Sequence, residues 1–271
     1  ALGVVVAGSV AYLADGPQGL QILDISNPAS PQRVGGYAGR GVVNGLAVVG
    51  SRVYLAESWK WTGPSYFGGG LEIIDVQSPG TPVVLGFYET GGWARGVAVS
   101  GSTAFLADGY QGGLQILDVS TPATPVRQSR VDTPGAAWGV RVSEGRAYVA
   151  DGEAGFQVLQ ITDPARPVWL AGYPTSGYVR DVEVRADALL LASGLPGLAA
   201  VGTVPGLQVG LAVESVVPGV PCVLEFSPGL GAGELWTPWL TNAAPDGPFT
   251  VIDARAVVPG LARGFYRAAQ P

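Results

Sequence analysis

The sequence predicts an all-β chain: a β-propeller of about five four-stranded blades, followed by a small β-sandwich-like domain. Three observations predict it. One phrase, "GGLQILDVSTPATP" (Gly112–Pro125), recurs along the chain as "QGLQILDISNPASP", "GGLEIIDVQSPGTP" and "AGFQVLQITDPARP". The apolar residue after the Gly of each phrase is Leu20, Leu71, Leu114 or Phe156, with a faded copy at Leu198, at spacings of 51, 43, 42 and 42 residues. A fixed period of this size marks a propeller or a solenoid. Within each period apolar residues alternate every second position and turn residues separate the runs, which is the pattern of strands.

The third copy shows the elements most plainly. "GVAVSG" reads as one strand, "TAFLAD" as the next, "GLQILDV" as the third and "PVRQSRV" as the fourth, separated by Ser-Gly, Asp-Gly and a Pro after Thr. Four short strands per period make one blade. "GLAVVG", "GVAVSG", "GVRVSE" and "DVEVRA" are small and β-branched, as suits innermost strands crowded together. "GLQILDI" and its copies suit strands covered by neighbouring blades, since one blade cannot bury its own faces. "LGVVVAG" opens the chain as an innermost strand, and the fifth period has "ALLLAS" and "GLAAVGT" but no clear outer strand. The last blade is therefore expected to be incomplete. The absence of Met leads to the expectation of a fragment or processed form whose closing strand lies upstream of Ala1, either in a five-bladed ring or in part of a larger one.

Composition sets outer limits. The 271 residues include 42 Gly and 22 Pro, with 47% hydrophobic and 13% charged residues. That is enough for a large core cut by many turns. The net charge is −6, with Lys60 the one lysine; nucleic acid is not expected as a partner, because phosphate neutralisation needs clustered basic residues. No apolar run is long enough for a membrane helix. His is absent and Cys222 is the lone cysteine. A Ser-His-Asp triad, histidine-ligated zinc and a thiolate cluster are thereby excluded, and Cys222 reads as a buried small hydrophobe. "GLGAGE" near Gly229 lacks a following helix, so it makes a poor nucleotide loop.

"AYLADGPQGLQILDISNP", "AFLADGYQGGLQILDVSTP" and "AYVADGEAGFQVLQITDP" resemble LVIVD repeats, a bacterial propeller repeat found largely in exported or surface proteins. The resemblance spans residues 1–204 and implies a propeller; it carries no catalytic motif. From about Leu207 the period stops. Residues 205–271 resemble a small C-terminal β-module of exported bacterial proteins through Val223, Leu224, Glu225, Ser227, Trp236, Pro238, Asn242, Phe249, Asp253 and the final Phe265-Tyr266-Arg267. That resemblance implies an accessory domain and export to the periplasm, cell surface or medium. Trp236, Phe249 and Tyr266 read as its core.

Propeller topology places the loops leading into the innermost strands and those joining second to third strands on one face. Second strands end in Asp15, Glu57, Asp108 and Asp151. The inner strands are preceded by, or begin with, Asn44, Trp93 and Arg95, Trp138, and Tyr178 and Arg180. The face reads as a polar, aromatic bowl for a protein or glycan ligand. Its carboxylate oxygens suit Ca2+; the competing reading is turn chemistry, with Asp capping an Asp-Gly hairpin. The second copy also carries an insertion, "ESWKWTGPSYFGGG", where the first has "ADGPQG". Trp59, Lys60, Trp61, Tyr66 and Phe67 in a Gly- and Pro-flanked loop suit stacking on a sugar or gripping a peptide, or a lid packed on the next blade. The function expected is a non-catalytic exported or cell-surface binding scaffold. The alternatives are a carboxylate-dependent glycan hydrolase or lyase using residues such as Glu57 and Asp108, and a structural surface spacer.

Overall fold

The structure is a computed structural model of the whole chain. It describes residues 1–61, 66–67, 69–173, 175, 177–184, 189–193 and 198–201, and the strands at 210–213, 222–227, 237–242, 249–252 and 265–269. At residues 61, 66, 67, 111, 173, 189, 190 and 193, and from 198 onward, the description is of the backbone.

The chain divides into two compact units, one of Ala1–Asp151 with Gln157–Ala171, the other of Gly152–Phe156 with Gly172–Pro271. Blade one comprises β1 (Gly3–Ala7), β2 (Val10–Ala14), β3 (Leu20–Asp24) and β4 (Gln32–Tyr37). Blade two begins with β5 (Val42–Val49) and β6 (Arg52–Ser58), is interrupted by a hairpin of β7 (Lys60–Trp61) and β8 (Tyr66–Phe67), and resumes with β9 (Gly70–Asp75) and β10 (Val83–Glu89). Blade three has β11 (Gly96–Ser100), β12 (Thr103–Ala107), a single helical turn α1 (Gly109–Gly112), β13 (Leu114–Asp118) and β14 (Val126–Val131). Blade four has β15 (Gly139–Ser143), β16 (Arg146–Ala150), β17 (Phe156–Gln160) and β18 (Val168–Tyr173). Each is a four-stranded sheet with its strands in simple order, β7 and β8 standing aside.

The recurring phrase explains the blade. In "LQILD" of β13, Leu114, Ile116 and Leu117 are fully buried, and Asp118 ends the strand. Asp118 Oδ1 then accepts the Ser120 N–H at 2.8 Å, as Asp24 accepts from Ser26 at 2.8 Å and Asp75 from Gln77 at 2.7 Å. These Asx turns reverse the chain, and the bonds from Ser120 and Ser26 hold the Asp118 and Asp24 carboxyls below the usual range. The Pro that follows opens a β-turn closed by Thr124 N–H to the Thr121 carbonyl at 3.0 Å, repeated from Ser30 to Asn27 at 2.9 Å and from Arg166 to Asp163 at 3.0 Å. Proline's fixed φ suits the second position of such a turn.

Blades bury their faces against one another. Tyr12, Ala14, Leu20 and Ile22 of blade one pack on Leu46, Leu55 and Ile74 of blade two. Tyr54, Leu71 and Ile73 of blade two pack on Val97, Leu106 and Leu117 of blade three. Phe105, Leu114 and Ile116 of blade three pack on Val140, Val149 and Leu159. Each such Leu, Ile, Val or Phe side chain contributes about 1.5–3 kcal/mol on burial. The innermost strands β1, β5, β11 and β15 lie side by side in that order. A glycine starts each approach: a Cβ on Gly96 would sit 2.9 Å from the Trp138 carbonyl and 3.1 Å from Gly139 Cα.

The second unit holds a three-stranded sheet of β19 (Val179–Val184), β20 (Leu189–Ser193) and β21 (Leu198–Val201). The faded copy of the phrase thus gives strands, and no outer strand joins them among the described residues. Further on, β22 (Gly210–Val213), β23 (Cys222–Ser227), β24 (Thr237–Asn242), β25 (Phe249–Ile252) and β26 (Phe265–Ala269) follow. β22 pairs with β25, and β23 lies between β24 and β26. Trp236, expected in the core of the tail, lies outside the described residues, as do the connecting loops.

Candidate ligand-binding face

In blade three, Gly96 stands opposite Ala107, Ala107 opposite Leu114, and Leu114 opposite Val131. The segment leading into β11, the turn after β12 and the end of β14 therefore meet at one end of the blade. Trp93, Arg95, Asp108 and α1 all belong to that end.

The aromatic residues predicted there come together. The Arg95 guanidinium carbon lies 4.4 Å from the Trp138 ring centre and 5.6 Å from that of Trp93, so one cation bridges indoles of neighbouring blades. Trp93 is 53% exposed. Cation–π contacts of this kind contribute about 0.5–1 kcal/mol at exposed sites. Trp59 lies against Gly69, where an added side chain would strike its indole and would sit 3.0 Å from the Gly92 carbonyl. The base of the inserted loop is thus beside the residue that precedes Trp93. Lys60 Nζ reaches the Pro17 carbonyl of blade one at 3.5 Å. Trp61, Tyr66 and Phe67 form the hairpin by their backbones, with Lys60 opposite Phe67 and Trp61 opposite Tyr66. Tyr178 and Arg180 belong to the second unit, where the guanidinium lies 5.8 Å from the Tyr178 ring centre.

The carboxylates take a different place. Glu57, Asp108 and Asp151 have no exposed surface. Each turns into its own blade. Asp108 accepts from Thr90 Oγ1 at 2.9 Å and from Gln115 Nε2 at 3.4 Å, and a side chain on Gly92 or Gly112 would collide with its carboxyl. Asp151 accepts from the Gly135 N–H and from Gln157 Nε2, both at 3.0 Å. Asp15 is one-third exposed, 3.0 Å from the Ala1 amino group. Among the described residues no three His, Cys, Asp or Glu side chains converge on a point that could hold a metal ion. Of the open ring expected from Asp15, Glu57, Asp108 and Asp151, the last three are instead buried and hydrogen-bonded, and Asp15 keeps one-third of its side chain exposed. Asp108 makes no cap hydrogen bond to the turn that follows it; Asp108 and Asp151 instead tie the third strand and an incoming loop to the second. Burial pushes the Asp108 carboxyl up to about 6, against the Thr90 and Gln115 bonds, and raises Asp151 in the same direction.

Blade two departs from this scheme. Its third strand carries Glu72 opposite Leu55, the register at which Gln115 stands opposite Leu106 and Gln21 opposite Leu13. Glu72 is fully buried beside Glu57. Glu57 Oε2 accepts the Gly41 N–H at 3.0 Å, and Glu72 Oε1 accepts the Tyr37 hydroxyl at 3.0 Å, with Arg40 Nε 3.5 Å away. Burial first, then the Glu72 charge, pushes Glu57 up to about 8. Burial also raises Glu72, against Tyr37, Glu57 and Arg40. Residue-by-residue comparison of the phrases shows this exchange, since "GLEIID" stands where the other copies read Gln. Asn44 holds the next junction, its Nδ2 donating to Ser58 Oγ at 2.9 Å and to the Ala94 carbonyl at 2.8 Å.

Four-stranded blades stacked through their innermost strands define a β-propeller. Residues 1–39, 91–133 and 134–175 match the family model of the LVIVD repeat. Residues 40–90, which carry the insertion, fall between the matched stretches. No curated protein sequence matches the chain. Among solved structures, the β-propeller domain of Myceliophteria thermophila Cps50 (Swd1) is similar at a TM-score of 0.59 and 12% identity, over 74% of this chain and 68% of that one. A chain of the nidogen/laminin complex is similar at 0.56 and 14% identity, over 74% and 75%. The computationally designed Ika8 protein is similar at 0.55 and 9% identity, over 99% and 82%. At these identities the likeness is one of fold.

Proposed function

We propose that this propeller is a non-catalytic binding scaffold, exported or displayed at the cell surface, that captures a protein or glycan at the face bearing Trp59, Trp93, Arg95 and Trp138. The observation that supports it is the stacked indole–guanidinium–indole row with Trp93 left half-open to water. Such side chains are pre-ordered by their mutual stacking, so a ligand meets a rigid apolar surface with little rotamer entropy left to lose. Trp and Arg are the residues that carry most binding energy at interfaces. Trp61, Tyr66 and Phe67 extend the same proposal along the inserted hairpin, and Tyr178 and Arg180 supply a second stack of the same kind. The placement outside the cytoplasm rests on the resemblance of both segments to exported bacterial proteins. No helix among the described residues is long and apolar enough to cross a membrane.

The carboxylates favour a scaffold over a hydrolase. Glu57, Asp108 and Asp151 are sealed from any ligand on this face, and an acid or base must reach the proton it moves. The test is a glycan and peptide array probed with the wild-type protein, with and without Ca2+, and then with the W93A/W138A and W59A variants. Capture by the wild type, lost in W93A/W138A at an unchanged melting temperature, supports the proposal. Capture that survives both variants, or no capture by the wild type, overturns it, the latter leaving a structural spacer.

A further inference from the structure

In blades three and four the acid that ends the second strand meets a glutamine amide from the third, Gln115 for Asp108 and Gln157 for Asp151. In blade two the acid Glu57 meets another acid, Glu72. An amide donates a hydrogen bond and a carboxylate does not. Two oxygens of this pair, Glu57 Oε1 and Glu72 Oε2, are buried without a hydrogen-bond partner, while the other two are served by Gly41 and Tyr37, and the Arg40 backbone N–H lies close enough to favour the charged form of both carboxyls. The groups facing the pair are Tyr37 at the end of β4 and Arg40 in the segment before β5; Arg40 also stacks 4.6 Å above the Phe87 ring on β10. Arg40 brings one positive charge against two acids, so the buried cluster is neutral only if one acid keeps its proton.

We propose that Glu57 and Glu72 share a single proton at neutral pH, held between those two oxygens, and that its release under mildly alkaline conditions loosens the base of the inserted loop. The proton replaces the amide donor of the other blades. Without it two like charges would stand in contact away from water, which disfavours the doubly ionised form. Burial raises both carboxyls, Glu57 to about 8, which agrees with a proton retained at neutral pH. The loop is anchored on the pair from both sides. Glu57 stands opposite Gly70 at the foot of the insertion, and Glu72 follows two residues later.

Infrared spectroscopy of the whole chain tests the shared proton. The wild type should show a protonated-carboxyl C=O band at neutral pH that disappears through about pH 8. E72Q should lack it, because the introduced amide donates as those of Gln115 and Gln157 do. Asp108 contributes equally to both proteins and cancels in the difference. Amide hydrogen exchange, corrected for intrinsic rate, should quicken at residues 57–61 and 69–72 above that pH in the wild type and stay flat in E72Q. A wild type without the band at neutral pH overturns the proposal without recourse to any variant. It is overturned equally by E72Q keeping the wild-type pH response, or by E72Q failing to fold.

Discussion

Asn44 is the sharpest probe of how blades are joined. Gly16 pairs with Val43 across the junction of blades one and two, and Gly109 with Ala137 across that of three and four; Gly152 pairs with Val179 in the second unit. These glycines have φ of +58°, +68° and +59°, which is why the Asp-Gly turn recurs. Blade two reads Glu57-Ser58 there, and among the described residues no such pair joins it to blade three. The Asn44 amide spans the gap instead, to Ser58 Oγ at 2.9 Å and the Ala94 carbonyl at 2.8 Å, with Asn44 only 9% exposed. Asn44→Ala deletes both bonds and leaves the Ala94 carbonyl buried without a donor. The lost bonds cost about 1 kcal/mol net and the orphaned carbonyl about 1–3 kcal/mol, or about 2–4 kcal/mol together. Asn44→Asp should cost more at neutral pH, because an acceptor then faces an acceptor, and the gap between the two variants should close at acid pH as the new carboxyl regains a proton to donate. Equilibrium urea unfolding followed by tryptophan fluorescence measures both. A loss below about 0.5 kcal/mol for Asn44→Ala, the range of an ordinary surface change, refutes the reasoning, as does Asn44→Asp tracking Asn44→Ala at every pH.

Other outcomes follow from the same geometry. Asp108 titrates near 6 in the fold against 3.8 ordinarily. The folded state therefore holds its proton more tightly, and this contribution is full below pH 4 and declines by about 1.4 kcal/mol per unit as pH rises towards 6. Asp108→Asn, with Gln115 turned to accept, should flatten that decline in thermal melts. Gly113→Ala should lower the melting temperature, since φ is +59° and the new Cβ would run into the Val131 carbonyl; left-handed backbone costs an L-residue about 1–2 kcal/mol before any clash. Leu106→Ala, between blades two and three, should cost about 2–5 kcal/mol, while Val126→Ala on an exposed outer strand should stay within about 0.5 kcal/mol.

The period, the strands and the turns were legible because each is a local requirement. "LQILD" alternates to meet two blades, Asp118 caps its own turn, and Pro122 opens the next. The same spelling placed Trp93, Arg95 and Trp138 at one end, where the structure stacks them. Solvent access was not legible in the same way. Asp108 and Asp151 end strands just where a surface acid would, but Gly92 and Gly112 make room for Asp108 inside, and Thr90, Gln115 and Gln157 supply donors from elsewhere in the chain. Burial of an acid depends on what distant loops bring to it, and that is a property of tertiary structure. Glu72 was the exception, a visible break in the repeat whose meaning emerges only when the strand register puts it beside Glu57.

In the proposed function, ligands are read at the end of the blades bearing Trp93, Arg95 and Trp138. Hydroxyl-radical footprinting of the wild-type protein with an array-captured ligand tests it most directly, with the exposed Trp169 on β18 as internal reference. Protection of Trp93 and Trp138 with Trp169 unchanged is the predicted result. Protection of Trp169 with Trp93 and Trp138 still fully labelled would contradict it.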